Sequence, residues 1–256
     1  MKFSLKQIIV LLAALLTASC ARAQAVLVAA AADLKFAMGE LASQFEKQSG
    51  TKLDVTYGSS GNFLTQIQNG APFDLFFSAD SEYPKKLEAA GLTEPGTLRE
   101  YAVGRIVIWT PSDHSINAAR EGWKCLLDPR VKKIAIANPE HAPYGRAAVA
   151  ALKKAGIYEQ VKDQLVYGEN ISQAAEFVQS GNAQAGIVAL SLAMSPAMEN
   201  GNKWEIPADS YPAIKQAAVI LRASKNKEAA RRFLEFINGP QGREILARFG
   251  FTAPTP

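Results

Sequence analysis

The sequence predicts an α/β fold, because short apolar segments typical of buried strands alternate with segments of helical periodicity. Residues 25–32 form the first predicted strand, and apolar residues at helical spacing follow until Gly50 ends the pattern. Asp33 lies between the two and is the predicted helix N-cap. Strands that alternate with helices in this way pair in parallel, so we expect sheets that are flanked by helices.

The same alternation continues along the chain. It predicts strands over 53–57, 73–78, 105–109, 133–137, 164–167, 185–190 and 215–221, and helices over 62–68, 144–155, 172–179, 227–236 and 241–249, with a further helix ending at 91. The architecture therefore occurs twice. A chain of this length permits one large domain or two lobes.

We predict two lobes, the first of them discontinuous. Lobe I comprises residues 24–103 and 216–256, and lobe II comprises residues 104–215. The apolar extended segments 101–107 and 212–219 are suited to crossing between them. Because α/β proteins bind ligands at the carboxyl ends of their strands, we expect the ligand site in a cleft between the lobes.

The first 23 residues have the three-part pattern of a secretory signal. Lys2 and Lys6 precede the apolar run 8–16, and Ala-Arg-Ala at 21–23 supplies small residues before a cleavage point. The apolar run is shorter than the ~20 residues that a membrane span needs. We predict export to the periplasm, with lipid attachment through Cys20 as an alternative form.

Composition and motifs exclude several function classes. Removing residues 1–23 removes three basic residues and lowers the formal charge from +4 to +1 (4 − 3 = 1), so nothing favours nucleic-acid binding. Cys125 is then the single cysteine. The sequence has no glycine-rich nucleotide motif, and its two histidines belong to no spaced set of metal ligands. We therefore predict no catalysis and no cofactor.

Three strand-to-helix junctions carry the functional signal. They are Ala-Ala-Ala-Asp-Leu at 30–34, Tyr-Gly-Ser-Ser-Gly-Asn at 57–62 and Asn-Pro-Glu-His-Ala-Pro-Tyr-Gly at 138–145. The first N–H groups of a helix lack intrahelical acceptors and carry a partial positive charge. Several helix starts that converge can therefore bind a compact oxyanion without lysine or arginine.

Two further segments belong with these junctions: Gly-Ala-Pro-Phe-Asp-Leu-Phe-Phe-Ser-Ala-Asp at 70–80 and Gly-Ile-Val-Ala at 186–189. Together, the five segments resemble the periplasmic molybdate-binding proteins of ABC importers. Those proteins belong to the type II periplasmic binding protein superfamily. The resemblance covers essentially the whole mature chain. It implies two α/β lobes, each a mostly parallel sheet flanked by helices, that close on molybdate or tungstate. It also implies a membrane permease as partner, and we expect a monomer.

The resemblance places the ligand contacts at five residues. They are the backbone at Ala32 and Asp33, the N–H and hydroxyl of Ser60, and the N–H groups of Tyr144 and Ile171. Molybdenum would be held as its oxyanion, without direct protein ligands. The side chain of Tyr144 is expected to form a wall of the site.

Two alternatives remain open at this stage. Ser60 can instead be an ordinary N-cap. The Asp33 carboxylate would repel a dianion, so either it turns inward to cap its own helix or it accepts a proton from the ligand. We expect the inward cap. A proton-accepting Asp33 would favour phosphate, so phosphate or sulfate is the alternative ligand, and an enzyme on the same fold is the less favoured alternative class.

Overall fold

Two five-stranded sheets organise the computed structural model, which describes residues 25–112 and 115–254. The predicted signal segment, including Cys20, lies outside these residues. The first sheet has the strand order β2-β1-β3-β10-β4. Its strands are β1 (Val26–Ala31), β2 (Leu53–Gly58), β3 (Leu75–Ser78), β4 (Arg99–Gly104) and β10 (Ile214–Ile220).

The second sheet repeats this pattern with the order β7-β6-β8-β5-β9. Its strands are β5 (Ile106–Thr110), β6 (Ile134–Ala137), β7 (Leu165–Gly168), β8 (Ala185–Ala189) and β9 (Asn202–Glu205). β9 was not predicted, because its four residues, Asn-Lys-Trp-Glu, are mostly polar and alternate between half-buried and exposed at the edge of the sheet.

The two sheets have the same pattern of strand directions. In the first, β1 pairs in parallel with β2 and β3, while β10 is antiparallel to β3 and to β4. In the second, β6 pairs in parallel with β7 and β8, while β5 is antiparallel to β8 and to β9. Four strands of each sheet therefore share one direction, which confirms the predicted fold class.

Ten α-helices flank the sheets in the described part of the chain. None of them is both long enough and apolar enough to cross a membrane. They are α1 (Lys35–Ser49), α2 (Ser60–Gln68), α3 (Glu82–Ala89), α4 (Ala118–Glu121), α5 (Pro143–Lys154), α6 (Tyr158–Val161), α7 (Ile171–Gln179), α8 (Leu190–Ala193), α9 (Lys227–Asn238) and α10 (Pro240–Arg248). Four short 3-10 helices, Ala32–Leu34, Gly122–Leu127, Lys162–Gln164 and Ala208–Ser210, complete the list.

Separate cores support the two sheets. Around the first sheet, Phe233 of α9 packs against Phe45 of α1 and Phe77 of β3, with ring centroids 5.0 and 5.8 Å apart. A second cluster contains the apolar residues of β5, β6 and β8 together with α5 and α7. Burial of apolar surface on this scale contributes most of the favourable free energy of folding. Each sheet is thus a stable platform for the loops at its edge.

The chain passes from the first sheet to the second between β4 and β5, and returns between β9 and β10. Gly104 ends β4, and a Cβ atom there would overlap the hydroxyl of Tyr144 and approach Nε2 of Gln216. Glycine is therefore required at this crossing. The predicted lobe limits, between residues 103 and 104 and between residues 215 and 216, fall within or next to the crossing segments. The division of the chain into lobes at these limits stays a prediction.

Candidate functional site

Strand-to-helix junctions from both sheets meet around one cavity. All five residues that the sequence singled out lie on its wall, although Tyr144 and Ile171 are 84 or more positions from the other three. The full lining is Ala31, Ala32, Asp33, Gly58, Ser59, Ser60, Ala79, Ala142, Pro143, Tyr144, Asn170 and Ile171.

Three helices begin at this cavity: α2 at Ser60, α5 at Pro143 and α7 at Ile171. Within the described residues, the N–H groups of Ser60, Tyr144 and Ile171 donate to no protein acceptor. Each helix start also contributes partial positive charge. The cavity therefore presents neutral donors from both sheets, which is the chemistry that holds a compact oxyanion.

Asn170 explains why the donor of α7 is Ile171. The Oδ1 atom of Asn170 accepts hydrogen bonds from the N–H groups of Ser172 and Gln173, at 3.0 and 3.1 Å. The side chain of this N-cap thereby satisfies the second and third N–H groups of the helix. Only the first N–H, that of Ile171, still needs an acceptor.

Ser60 is the first residue of α2, and the N-cap is its neighbour Ser59. The Oγ atom of Ser60 accepts a hydrogen bond from the N–H of Ala79 at 3.0 Å, and Ser60 is buried. Its hydroxyl hydrogen has no protein acceptor among the described residues. The alternative in which Ser60 serves as an N-cap is thus wrong, and its O–H group is available to donate into the cavity.

Asp33 differs from its predicted role. The N-cap of the first 3-10 helix is Ala31, and Asp33 lies inside the turn. Its Oδ2 atom accepts hydrogen bonds from the hydroxyl of Tyr144 at 2.9 Å and from Nε2 of Gln216 at 2.5 Å. The expected inward cap is therefore wrong, because side chains from two other elements satisfy this oxygen.

The same contacts give Tyr144 a larger role than the predicted wall. Its hydroxyl joins Asp33 on one sheet to α5 on the other, and burial together with Asp33 raises its pKa well above the usual value. Tyr101 donates to Oε1 of Gln216 at 2.6 Å, which fixes the orientation of the amide. Gln216 was missed by the sequence analysis, although it is the one buried polar residue of β10.

Burial raises the pKa of the Asp33 carboxyl to about 6, although the hydrogen bonds from Gln216 and Tyr144 oppose this increase. The other oxygen, Oδ1, is buried and has no hydrogen-bond partner among the described residues. A desolvated carboxyl with one unpartnered oxygen is an unusual component of an anion site.

Further contacts join the two sides of the cleft. The carbonyl oxygen of His141 accepts hydrogen bonds from the hydroxyl of Ser59 at 2.7 Å and from the N–H of Gly61 at 3.0 Å. On another side, Arg146 pairs with Asp80 at 2.6 Å. The lobes are therefore in contact around the cavity, as expected for a closed arrangement.

A serine–histidine contact also lies here, with Nδ1 of His141 at 2.9 Å from Oγ of Ser59. The hydroxyl of Ser59 already donates its proton to the carbonyl of His141. Nδ1 must therefore be the donor in this contact, and it is not placed to remove a proton from Ser59. The pair stabilises the closed cleft and does not have the arrangement of an activated nucleophile.

No group of three or more histidine, cysteine, aspartate or glutamate side chains that could hold a metal ion occurs within residues 25–112 and 115–254. Cys125 is buried, and burial raises its pKa to about 12. A thiol in this environment stays protonated at neutral pH and is a poor nucleophile.

A cavity for a small ligand between two α/β lobes is the arrangement of a solute-binding protein. The chain belongs to the family of bacterial extracellular solute-binding proteins, whose family model matches residues 26–252. This membership confirms the resemblance that the sequence motifs indicated.

Two individual relatives are named as molybdate-binding proteins. The chain is 41% identical over 252 residues to the molybdate-binding protein ModA of Azotobacter vinelandii, covering 98% of this chain and 99% of the relative. It is 39% identical over 232 residues to the protein of the same name from Rhodobacter capsulatus, covering 90% and 89% of the two chains.

Solved structures agree with these sequence matches. The periplasmic molybdate-binding protein of Azotobacter vinelandii matches with a TM-score of 0.84 and 33% identity. The match covers 90% of this chain and 100% of that chain. The sulfate-binding protein SubI from Mycobacterium tuberculosis has a TM-score of 0.68 at 16% identity, covering 91% of this chain and 88% of that chain, and shares the fold alone.

The raised pKa of Asp33 leads to a prediction about stability. The unfolded chain releases the Asp33 proton near pH 4 and the folded chain near pH 6. The proton on Asp33 therefore stabilises the folded chain fully below pH 4, and this stabilisation is lost as the pH rises through 6. Asp33→Asn keeps a similar shape without the titration. Between about pH 4.5 and 7.5, the wild type should lose about 2 kcal/mol of unfolding free energy relative to the variant.

Urea unfolding of both proteins, in buffer free of oxyanions, measures this difference. Other titrating groups contribute equally to both proteins, so their contributions cancel in the difference between the two unfolding free energies. A difference that stays constant across this range would show that Asp33 titrates alike in the folded and unfolded chains.

Proposed function

We propose that this protein captures molybdate, and also tungstate, in the cleft and delivers it to the permease of an ABC importer outside the cytoplasm. The observation that carries the proposal is the cavity itself, in which helix starts from both sheets present neutral N–H and O–H donors. The similarity to proteins named for molybdate binding supports the choice of ion.

The proposed contacts are Ala32, Asp33, Ser60, Tyr144 and Ile171. Ser60 contributes both its N–H and its hydroxyl, and Tyr144 and Ile171 contribute N–H groups. The donors surround the oxygens of the ion, so no protein atom would bind molybdenum directly. The ion is thus cargo and not a resident cofactor, and we propose binding without catalysis by a monomer.

Selectivity between oxyanions would follow from the size of the ion. The Mo–O bonds of molybdate are longer than the S–O bonds of sulfate, so donors fixed around the larger ion lose hydrogen bonds to the smaller one. Each such loss costs about 1–3 kcal/mol in a buried site. Molybdate and tungstate are nearly equal in size, so this mechanism does not separate them.

Hydrogen phosphate is the second candidate, and Asp33 is the observation that favours it. A protonated oxyanion needs an acceptor, and the unpartnered Oδ1 of Asp33 is one when the carboxyl is ionised. The unprotonated ions molybdate, tungstate and sulfate present acceptors only. The behaviour of phosphate therefore discriminates between the two candidates.

A thermal-shift series with molybdate, tungstate, sulfate and phosphate at matched ionic strength tests the proposal. A ligand at a hundredfold excess over its Kd stabilises the native state by about 2.7 kcal/mol. For a chain of this size we expect molybdate and tungstate to raise Tm by about 5–10 °C, with little effect of the other two ions.

The remaining outcomes of this series are equally informative. A shift with phosphate alone would replace molybdate by the second candidate. If none of the four ions shifts Tm, the oxyanion proposal is wrong.

Ser60→Ala tests the proposed hydroxyl donor. Loss of one hydrogen bond to a charged ligand costs about 1.5–3 kcal/mol, so molybdate affinity in calorimetry should fall about 10- to 100-fold. Ser49→Ala, at the end of α1, is the control for removal of a serine hydroxyl far from the cavity. Equal affinity of the Ser60 variant and the wild type would remove this side chain from the site.

Gly61→Ala tests closure of the cleft. A Cβ atom on Gly61 would lie 2.6 Å from the carbonyl oxygen of His141 on the opposite side, so the lobes must separate to accept it. With saturating molybdate, we expect a larger radius of gyration in small-angle X-ray scattering than for the wild type, and at least tenfold weaker binding.

Gly39→Ala is the matched control, because Gly39 is exposed on α1 and a Cβ atom there meets nothing within 4 Å. It should bind and close like the wild type. A Gly61 variant that does the same would show that this contact does not limit closure.

A further inference from the structure

The carboxyl of Asp33 has two oxygens in different situations. Oδ2 accepts hydrogen bonds from Tyr144 and from Gln216, and both of these partners are donors at this contact. Oδ1 is buried without a hydrogen-bond partner in the described part of the chain, and Asp33 lies on the wall of the cavity. A proton bound to this carboxyl would therefore sit on Oδ1, because Oδ2 is already directed at two hydrogens.

The surroundings of Asp33 supply no compensating positive charge. Within residues 25–112 and 115–254, no lysine, arginine or histidine forms an ion pair with it, and Lys35 pairs with Glu176 where both side chains are exposed. Of the titratable side chains on the elements packed around Asp33, Tyr101 of β4 and Tyr144 of α5 interact with it, whereas charged side chains of these elements such as Lys35 of α1 and Glu176 of α7 are exposed. The tyrosines nearest to it stay neutral.

A dianion in this cavity would be repelled by an ionised Asp33, since burial removes the solvent that screens the two charges. A neutral carboxyl has the opposite effect, because its O–H group donates a hydrogen bond to an oxyanion oxygen. Asp33 lies on the cavity wall, and its unpartnered Oδ1 is the atom available to carry that proton. The site then gains an attractive contact where it would otherwise have a repulsive one.

We propose that Asp33 takes up one proton from solvent when the oxyanion binds and donates a hydrogen bond to it through Oδ1. This inference rests on the proposed function, and it makes Asp33 a proton-linked binding residue. The balance is simple: one dianion and one proton enter, no covalent bond to the ion changes, and the charge of the occupied cavity is −2 instead of −3.

The acidity of the free carboxyl makes the uptake measurable. Burial raises the pKa of Asp33 to about 6, so at pH 8 the free protein is mostly ionised at this position. A bound dianion raises the pKa further. Affinity should therefore fall close to tenfold for each pH unit above about 7, because one proton accompanies each ion.

Calorimetry of molybdate binding at pH 8, in buffers of different ionisation enthalpy, measures the number of protons taken up. We expect close to one proton per molybdate for the wild type and none for Asp33→Asn. The amide of the variant donates without titrating, so its affinity should be independent of pH between 7 and 9. Glu176→Gln, which removes an exposed carboxylate of α7 outside the cavity lining, should keep the uptake of the wild type.

Some results would overturn this inference, and one would overturn the proposed function. Molybdate binding by the wild type without proton uptake at any pH from 7 to 9 excludes a proton-linked Asp33 and leaves the proposed function intact. Uptake that persists in Asp33→Asn, or that disappears in Glu176→Gln, assigns the proton to another group and also rejects the inference. If the wild type does not bind molybdate at all, the proposed function itself fails.

Discussion

The common direction of strands in both sheets determines where every group of the cavity lies. β1, β2, β6 and β7 each run so that their carboxyl ends lead into the cleft. A helix start near the end of such a strand points its free N–H groups into the same space. The donors thus come from backbone geometry, and the site needs no cationic side chain. A neutral set of donors favours a small anion without trapping it by strong charge pairing.

This dependence on backbone explains what the sequence could predict. Strand and helix periodicity located the junctions, and the motifs at 30–34, 57–62 and 138–145 all reached the cavity. The contact at Ile171 depends on Asn170, whose N-cap role is a local property of the sequence. Features that follow from local rules were therefore predictable, whereas the edge strands β4 and β9, the short helices α4, α6 and α8, and a few helix ends were not predicted.

The interactions of Asp33 were not predictable, because they depend on residues far away in the chain. Gln216 is 183 positions from Asp33 and Tyr144 is 111 positions from it, and only the packed sheets bring them together. A local rule assigned Asp33 to the N-cap, whereas tertiary contacts bind its Oδ2 from both sides of the cleft. The single polar residue on the buried face of β10 was the available signal, and it indicated a partner without identifying one.

The network around Asp33 also connects binding with closure. Tyr144 reaches Asp33 from the opposite side of the cleft, and the hydroxyl of Ser191 on α8 donates to the carbonyl oxygen of Asp33 at 2.7 Å. These contacts, and those to the carbonyl of His141, exist only when the lobes meet. Each contributes about 0.5–1.5 kcal/mol, which is too little to make closure irreversible. Under the proposed function, an ion that touches donors of both lobes would favour the closed form, because it gains all of its contacts only there.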